Sequence, residues 1–159
     1  MKVNIIKNDG LPLQKKGISF GGNLKITKLS SRNVSAAFDF VKSNLSSRGA
    51  KQCIFEFMNY DCLNIPKANT LFLIAKNKQN KITATAAANI VNQSGIKSPI
   101  ICCFKQNNEL GNKAQDIIVN ALTKYAKSNK SELYVPSWCN ALDDASKVIY
   151  KRHNLDVEI

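Results

Sequence analysis

Histidine is scarce in the sequence, and paired cysteine motifs and long apolar runs are absent. Each of these features disfavours or excludes a class of site or protein. The sequence contains one histidine, His153, and no Cys-x-x-Cys pair, which disfavours a zinc site. The five cysteines are an odd number, and Cys102 and Cys103 are adjacent, so free buried thiols are expected rather than a disulfide framework. No run approaches about 18 apolar residues, which excludes a membrane-spanning helix.

Arginine is also scarce, although the chain is strongly basic. The net charge is +12, yet only Arg32, Arg48 and Arg152 contribute arginine to the 23 basic residues. Base-reading proteins depend on the arginine fork, so sequence-specific readout is disfavoured. Lysine and asparagine are abundant together, which is typical of AT-rich coding and accounts for part of the charge. Lysines still attract phosphate, so non-specific binding of nucleic acid or of an anionic membrane surface stays open.

The N-terminal segment, 1–22, is polar and lacks the apolar stretch of a secretory signal. Turn signals at Asp9-Gly10 and Gly21-Gly22 predict a loose leader or an added edge strand. The remainder, 23–159, has no internal linker and is long enough for one domain with a real core. We therefore expect a cytoplasmic protein with one domain after this leader.

Hydrophobic periodicity predicts strands and helices in alternation. Strands are predicted at 23–29, 71–75, 82–91, 99–104, 132–135 and 155–159. Amphipathic helices are predicted at 34–45, from Ala114 to Tyr125 after a polar loop at 105–112, and from Ala141 to the basic residues 151–153. The stretch 51–66 fits either a short helix or a strand. Three consecutive strands joined by tight turns should be antiparallel, and the strand-helix-strand unit that follows should be parallel and right-handed.

Two stretches resemble one known family. The run IICCFKQNNELGNKAQDIIVNALTKYAKSNKSELYV, from Ile100, looks like the fourth strand, cofactor loop, long helix and fifth strand of the GNAT superfamily of acyl-CoA-dependent N-acyltransferases. The run ASKVIYKRHNL looks like the closing helix of that family, and the whole resemblance covers roughly Leu24 to Ile159. It implies a GNAT-like α/β fold: a mixed, mostly antiparallel sheet with one parallel strand pair that splays apart, flanked by helices.

The cofactor loop of the family is written [Gln/Arg]-x-x-Gly-x-[Gly/Ala], because the backbone must approach a pyrophosphate at a helix start. This chain fits in two imperfect registers. The register 108–113 keeps Gly111 and lacks the second glycine, whereas 109–114 ends in Ala114 and has Asn112 at the central position. Asparagine tolerates a positive φ and so partly replaces glycine there. The alternative is that Gly111 only ends a loop before an ordinary core helix.

The polar and charged residues of this loop have opposing effects on phosphate binding. Glu109 would place a negative charge near phosphate, which is unfavourable, whereas Lys105, Asn107 and Lys113 could compensate by contacting it. The resemblance also implies that main-chain groups of Cys103 and Phe104 pair with the pantetheine amides. The cofactor-binding residues it implies are Cys103, Phe104, Lys105, Asn108, Glu109, Leu110, Gly111, Asn112, Lys113 and Ala114.

Tyr150 is the catalytic residue that the resemblance implies. Ile149-Tyr150 takes the place of the family's Leu-Tyr, and Asn154-Leu155 the place of its Gly-Phe. The matching tyrosine donates a proton to the departing CoA thiolate, which a phenol can do as a general acid. The alternative is a tyrosine that packs its ring in the core and bonds its hydroxyl to the backbone.

No general base is evident, since 99–104 contains no carboxylate. Glu56 and Asp61 are candidates for that role, and both also fit solvated surface carboxylates. A covalent acyl relay through Cys102 or Cys103 is disfavoured, because only His153 exists to activate a thiol. Trp138 fits a pocket wall or a core plug, and His153 fits a cation at a helix C-terminus.

The expected function is therefore acyl transfer from acetyl-CoA, or another acyl-CoA, to an amine of a protein, an aminoacyl-tRNA or a small molecule. The reaction would proceed by direct attack in a ternary complex and without a metal. The alternative is a catalytically degenerate GNAT-fold binding module for a nucleic acid, an acidic protein or an anionic membrane.

Overall fold

The computed structural model describes residues 18–20, 23–44, 70–91 and 94–158, without the side chains of 18–20 and Trp138. The predicted general-base candidates Glu56 and Asp61, and the ambiguous stretch around them, lie outside these residues. The strands are β1 (Ile18–Phe20), β2 (Leu24–Lys28), β3 (Thr70–Lys76), β4 (Ile82–Asn89), β5 (Ser98–Lys105), β6 (Leu133–Pro136) and β7 (Asp156–Glu158). The helices are α1 (Val34–Asn44), α2 (Glu109–Ser128), a short 3-10 turn (Ser137–Cys139) and α3 (Asp144–Arg152).

The strands form one seven-stranded sheet in the order in which they occur along the chain. Strands β1 to β5 pair antiparallel, and β5 pairs parallel with β6. This confirms the predicted α/β fold with a mixed, mostly antiparallel sheet. Strand β7 adds a second parallel pair with β6, since α3 crosses between them. Three residues of the predicted leader form the edge strand β1.

Helix α1 covers one face of the sheet, and α2 and α3 cover the other. Alternation along β4 explains how the sheet serves both faces. Ala84, Ala86 and Ala88 are fully buried in the cluster that contains α2, whereas Ala87 belongs to the cluster of α1. Small side chains leave room for the long apolar face of α2 to pack against the strand.

A β-bulge interrupts β5 near its middle. Cys102 has a positive φ of 61°, and the pairing with β4 shifts between Thr85 and Ala87. The hydroxyl of Thr85 donates to the Cys102 carbonyl oxygen at 3.0 Å, which ties the bulge to β4. Because a bulge bends its strand and increases the local twist, the second half of β5 leaves the direction of its first half.

Two helix starts differ from the sequence prediction. Helix α2 begins at Glu109 rather than near Ala114, because the side chain of Asn108 caps the N–H of Gly111 at 2.7 Å. Helix α3 begins at Asp144 rather than at Ala141. The N–H of Ala141 donates to the Cys103 carbonyl oxygen at 3.1 Å, so this residue is held against β5 instead of entering the helix. No helix within the described ranges is long and apolar enough to span a bilayer.

Candidate functional site

A wedge-shaped cleft lies between β5 and β6. The two strands pair only at Ser98 with Leu133 and at Pro99 with Tyr134, although β5 continues to Lys105. Beyond that point the strands diverge, as the sequence resemblance predicted. The bulge at Cys102 lies in the diverging half of β5, which gives the divergence a local cause.

The side-chain amide of Asn140 bridges the two strands inside the cleft. Its oxygen accepts from the N–H of Cys103 at 2.9 Å, and its nitrogen donates to the carbonyl oxygens of Ile100 at 3.0 Å and Pro136 at 2.7 Å. Asn140 is buried, so these bonds satisfy main-chain groups that the divergence would otherwise leave without partners. The Asn140 side-chain amide thus links two strands whose main chains no longer pair with each other.

Both main-chain groups of Cys103 are therefore used within the chain. Its N–H donates to Asn140 and its carbonyl oxygen accepts from Ala141. The resemblance implied that such groups pair with the amides of a bound pantetheine. In this structure the segment that follows the 3-10 turn makes those bonds at Cys103 instead.

A chain of buried polar side chains runs along the α2 side of the cleft. The hydroxyl of Tyr150 donates to the carbonyl oxygen of Ala141 at 2.8 Å. The amide nitrogen of Gln115 lies 3.5 Å from that hydroxyl and 3.4 Å from the Cys103 sulfur. The amide oxygen of Gln115 lies 3.1 Å from the hydroxyl oxygen of Ser146. These side chains therefore fix the position of the Tyr150 hydroxyl.

An ion pair continues this chain to the surface. The ammonium of Lys105 lies 2.8 Å from a carboxylate oxygen of Asp143, and Ser146 donates to the other oxygen. The Lys105 side chain is 2% exposed, whereas that of Asp143 is 45% exposed. Burial raises the pKa of Asp143, but hydrogen bonds from Lys105 and Ser146 outweigh it, so the net pKa is lowered. The buried ammonium is thus neutralised by a carboxylate within the chain.

The start of α2 lies at the open end of the cleft and approaches another part of the backbone very closely. A Cβ on Gly111 would lie 2.1 Å from the carbonyl oxygen of Gln106. Glycine is therefore required here for close packing, although its φ is not positive. The N–H of Gly111 is capped by Asn108, whereas those of Glu109 and Leu110 have no hydrogen-bond acceptor among the described residues.

A surface groove of about 420 Å³ runs from this helix start along α3. Its lining includes the exposed side chains of Glu109 and Lys113, so the groove presents both charges. Asn112 is also among the lining residues, and its side-chain oxygen is buried without a hydrogen-bond donor in the described part of the chain. The groove is therefore bordered by the first turn of α2 and by polar side chains.

Solved structures of acetyltransferases have a similar arrangement of strands and helices. A GNAT-family acetyltransferase from Staphylococcus aureus MU50 matches with a TM-score of 0.60 at 14% identity, over 81% of this chain and 82% of that one. The aminoglycoside 6'-N-acetyltransferase AAC(6')-Ih of Acinetobacter baumannii matches with a TM-score of 0.58 at 15% identity, over 83% and 90%. Glucosamine-6-phosphate N-acetyltransferase of Arabidopsis thaliana matches with a TM-score of 0.58 at 14% identity, over 86% and 93%.

The fold is that of the GNAT acetyltransferases. At these identities the likeness concerns the fold. No family model and no curated protein matches the sequence itself.

The GNAT fold brings the predicted cofactor residues to one end of the sheet, though with different availability. Asn108, Glu109 and Lys113 are exposed at the start of α2, and Leu110 and Asn112 are half-buried. Phe104, Lys105 and Ala114 are buried, as are Cys103 and Gly111. Lys105 and Asn107 contact each other at 3.3 Å. Cofactor binding by this set of residues stays a prediction.

Two further candidates from the sequence are the Cys103 thiol and His153. Burial raises the pKa of the Cys103 thiol to about 11, so this thiol is protonated at neutral pH and is a poor nucleophile. His153 follows the end of α3, where its Nε2 lies 2.7 Å from a carboxylate oxygen of Asp116 on α2. The described ranges contain no cluster of three or more His, Cys, Asp or Glu residues that could hold a metal ion.

Sequence reasoning missed Asn140, Gln115, Ser146 and Asp143. The first two are polar residues whose partners lie far away in the chain, so no local pattern marks them. Asp143 precedes α3 where an N-cap aspartate is common, and that pattern predicts local capping. Its carboxylate makes no cap hydrogen bond in the structure and contacts Lys105 instead.

The ion pair yields a pH-dependent prediction. We expect Asp143→Asn to lower the free energy of unfolding at pH 7 by roughly 1–2 kcal/mol, because it leaves the buried ammonium of Lys105 without a charge partner. The folded-state pKa of Asp143 is lowered, so its contribution is present above the unfolded value and is lost as pH falls below about 4. Urea unfolding at pH 7, 4 and 3 should show the difference between variant and wild type shrinking with acidity.

The neighbouring Asp144→Asn provides the control, since Asp144 is exposed in the first turn of α3 and has no ion pair with a described residue. We expect a smaller loss there, of roughly 0.5 kcal/mol, from the helix dipole alone. Equal losses in the two variants would remove the ion pair as the cause.

Proposed function

We propose that this chain is an acyl-CoA-dependent N-acyltransferase that transfers an acetyl or other acyl group to an amine. The observation on which the proposal rests is the divergence of β5 from β6, with the start of α2 at the open end of the cleft. The GNAT fold of acetyltransferases supports the same reaction class. Direct attack by the amine in a ternary complex needs no covalent intermediate on the chain, which agrees with a Cys103 thiol that stays protonated.

The residues at the start of α2 fit an anionic cofactor tail. The N–H groups of Glu109 and Leu110 are available for phosphate oxygens, and the helix dipole favours negative charge there. Lys113 can contribute its ammonium, while Glu109 opposes phosphate with its carboxylate. When bound, acyl-CoA supplies the activated thioester, and the chain has to align its carbonyl with the amine and exclude water.

The cleft fits the pantetheine arm only after a local change. Asn140 and Ala141 already use the main-chain groups of Cys103. Acyl-CoA binding would therefore exchange these internal bonds for bonds to the pantetheine amides. An amide replaces an amide in this exchange, so its free-energy cost is the rearrangement of the segment rather than the loss of hydrogen bonds.

Tyr150 is proposed as the general acid. Burial first, and the neighbouring Cys103 second, raise the pKa of its phenol well above the ordinary range. The hydroxyl therefore remains protonated at neutral pH and cannot serve as a base. The raised pKa also opposes proton donation to a departing thiolate, so the general-acid role requires the surroundings of the phenol to change when acyl-CoA binds. Its present acceptor is the carbonyl oxygen of Ala141, so the donated proton becomes available only when that bond is exchanged.

Replacement by phenylalanine tests this role. We expect Tyr150→Phe to lower kcat by about a hundredfold, in the range typical of a lost general acid, while acetyl-CoA binding is retained. The measurement is thiol release with an amine acceptor, beside the acetyl-CoA-dependent shift in Tm. Unchanged turnover would remove Tyr150 from the mechanism. The loss of one hydroxyl bond should lower stability by only about 1 kcal/mol.

Acetyl-CoA binding itself tests the proposed function. A ligand that binds only the native state raises Tm. At a free concentration of a hundred times its Kd, such a ligand adds about 2.7 kcal/mol to the free energy of unfolding. We expect a rise with acetyl-CoA at millimolar concentration and a smaller one with desulfo- or dephospho-CoA. No rise with acetyl-CoA in either the wild type or Asn140→Ala would contradict the proposal.

A specific observation also favours a second candidate, a GNAT-fold binding protein without catalysis. Asn140 completes the cleft so fully that the main-chain groups of Cys103 are satisfied without a ligand. If these bonds persist in the presence of acyl-CoA, the fold is retained and the activity is lost. The acetyl-CoA measurement distinguishes the two candidates directly.

A further inference from the structure

Four lysines surround the hairpin that joins β3 and β4. Lys76 ends β3, Lys78 and Lys81 lie in the turn, and Lys25 is on the adjoining strand β2. We name them the hairpin lysines. The sequences of β2 and of 70–91 contain no aspartate or glutamate, so positive charge is not balanced within these strands.

The strand register places two of these charges face to face. Lys25 is the direct partner of Lys76 in the antiparallel pairing of β2 with β3. Like charges at opposed positions destabilise a sheet, and neighbours of opposite charge normally occupy such positions. None of the four hairpin lysines forms an ion pair with any residue that the structure describes.

The hairpin presents these charges on a fixed frame. The side-chain oxygen of Asn77 accepts from the N–H groups of Gln79 and Lys81, both at 2.9 Å. The N–H of Asn77 donates to the Lys81 carbonyl oxygen at 2.9 Å, and Asn80 has a positive φ of 64°. Local hydrogen bonds therefore hold the turn in one conformation, so a ligand would meet charges whose backbone positions are already set.

We propose that the hairpin lysines bind the phosphodiester backbone of a nucleic acid without reading its sequence. Lysine acts as a point charge toward phosphate, and the four hairpin lysines include no arginine fork with which base edges could be read. The exposed large apolar side chains in the described ranges are Ile96 and Val148, which lie outside this surface. An apolar anchor for a membrane surface is therefore not provided by the hairpin itself.

The surface lies close to the candidate site. The N–H of Gln106, just before α2, donates at 2.8 Å to the carbonyl oxygen of Thr83, which is two residues beyond Lys81. A nucleic acid held by the hairpin would thus be near the cleft, and an amine attached to it could serve as an acyl acceptor. The binding proposal goes beyond acyl transfer and does not depend on it.

Fluorescence anisotropy with a labelled single-stranded RNA of about 20 nucleotides tests the surface, without acyl-CoA and between about 50 and 200 mM salt. The variant replaces Lys25, Lys76, Lys78 and Lys81 by glutamine. We expect its affinity to fall by at least about tenfold at low salt, with a decrease of about 3 in the slope of log K against log salt. Circular dichroism and Tm establish that the variant is folded.

A matched variant removes the same charge at the other end of the sheet. It replaces Lys124, Lys127, Lys130 and Lys151 by glutamine; all four are exposed near the C-terminal ends of α2 and α3. We expect its affinity to stay within about threefold of wild type, since screening confines the effect to nearby charges. Equal losses in the two variants would overturn the proposal, as would binding to phosphatidylserine vesicles or polyglutamate without binding to RNA.

Discussion

Asn140→Ala is expected to lower the stability of the chain and to tighten its binding of acetyl-CoA. The substitution removes bonds to Cys103, Ile100 and Pro136 inside a buried cleft. Each unsatisfied group costs about 1–3 kcal/mol, and water entering the vacated space offsets part of it, so we expect a total loss of about 3 kcal/mol. Urea unfolding without ligand measures this loss.

The same change should favour the cofactor, because acyl-CoA no longer has to displace the Asn140 amide. If the exchange costs about 1.4 kcal/mol in the wild type, removing the competitor tightens Kd by about tenfold. Isothermal titration with acetyl-CoA, or the ligand-dependent rise in Tm, measures this gain. Opposite changes in stability and in affinity are the signature of a residue that occupies the binding cleft.

Asn33→Ala is the matched control. Asn33 is also a buried asparagine with main-chain partners, since it accepts from Ser30 at 2.7 Å and donates to Lys28 at 3.1 Å. It lies before α1, on the other face of the sheet, so its loss should reduce stability without improving acetyl-CoA binding. Tighter binding in both variants would show that general loosening, rather than an opened cleft, explains the gain.

Gly111→Ala is expected to destabilise the chain, against the usual preference for alanine in helices. Within a helix alanine is normally favoured over glycine by about 1 kcal/mol. Here the added Cβ would lie 2.1 Å from the main-chain oxygen of Gln106, which cannot move without shifting the loop before α2. Overpacking of this kind costs about 1–3 kcal/mol or more, so we expect a net loss of about 2 kcal/mol in urea unfolding.

The loop shift should also weaken acetyl-CoA binding, since Asn108 and the free N–H groups at the start of α2 would move with it. Lys124→Ala, an exposed substitution on the same helix, should be close to neutral in both measurements. A stabilised Gly111→Ala would show that the loop yields easily, and would support the reading of this glycine as the end of an ordinary loop.

The fold was predictable because its signals are local and periodic. The short apolar run of β3, the Thr- and Ala-rich run of β4 and the apolar stripe of α2 indicate the strand and helix types. The order of elements then predicted the mixed sheet, and the family resemblance implied that its parallel pair diverges. Helix starts were less accurate, because the cap of α2 and the bond from Ala141 to β5 depend on particular contacts.

The candidate site was predictable only in part. Gly111 is required for a close backbone approach, but the approach in the structure is to Gln106, and its role at a cofactor stays a prediction. The predicted role of Lys105 at phosphate did not anticipate that its ammonium is buried and paired with Asp143. The participation of Asn140 could not be inferred, because its partners on β5 lie up to 40 residues away in the sequence.

By itself the sequence determined the types and order of the strands and helices and the strongly positive charge, since composition and periodicity act over short distances along the chain. The tertiary structure alone decided which polar groups meet inside the cleft. Hydrogen bonds of Asn140, Gln115 and Asp143 join residues that are far apart in sequence, and burial then fixes the protonation of Cys103 and Tyr150. Such groups become neighbours only when the sheet and helices have packed, because local patterns specify elements but not their contacts.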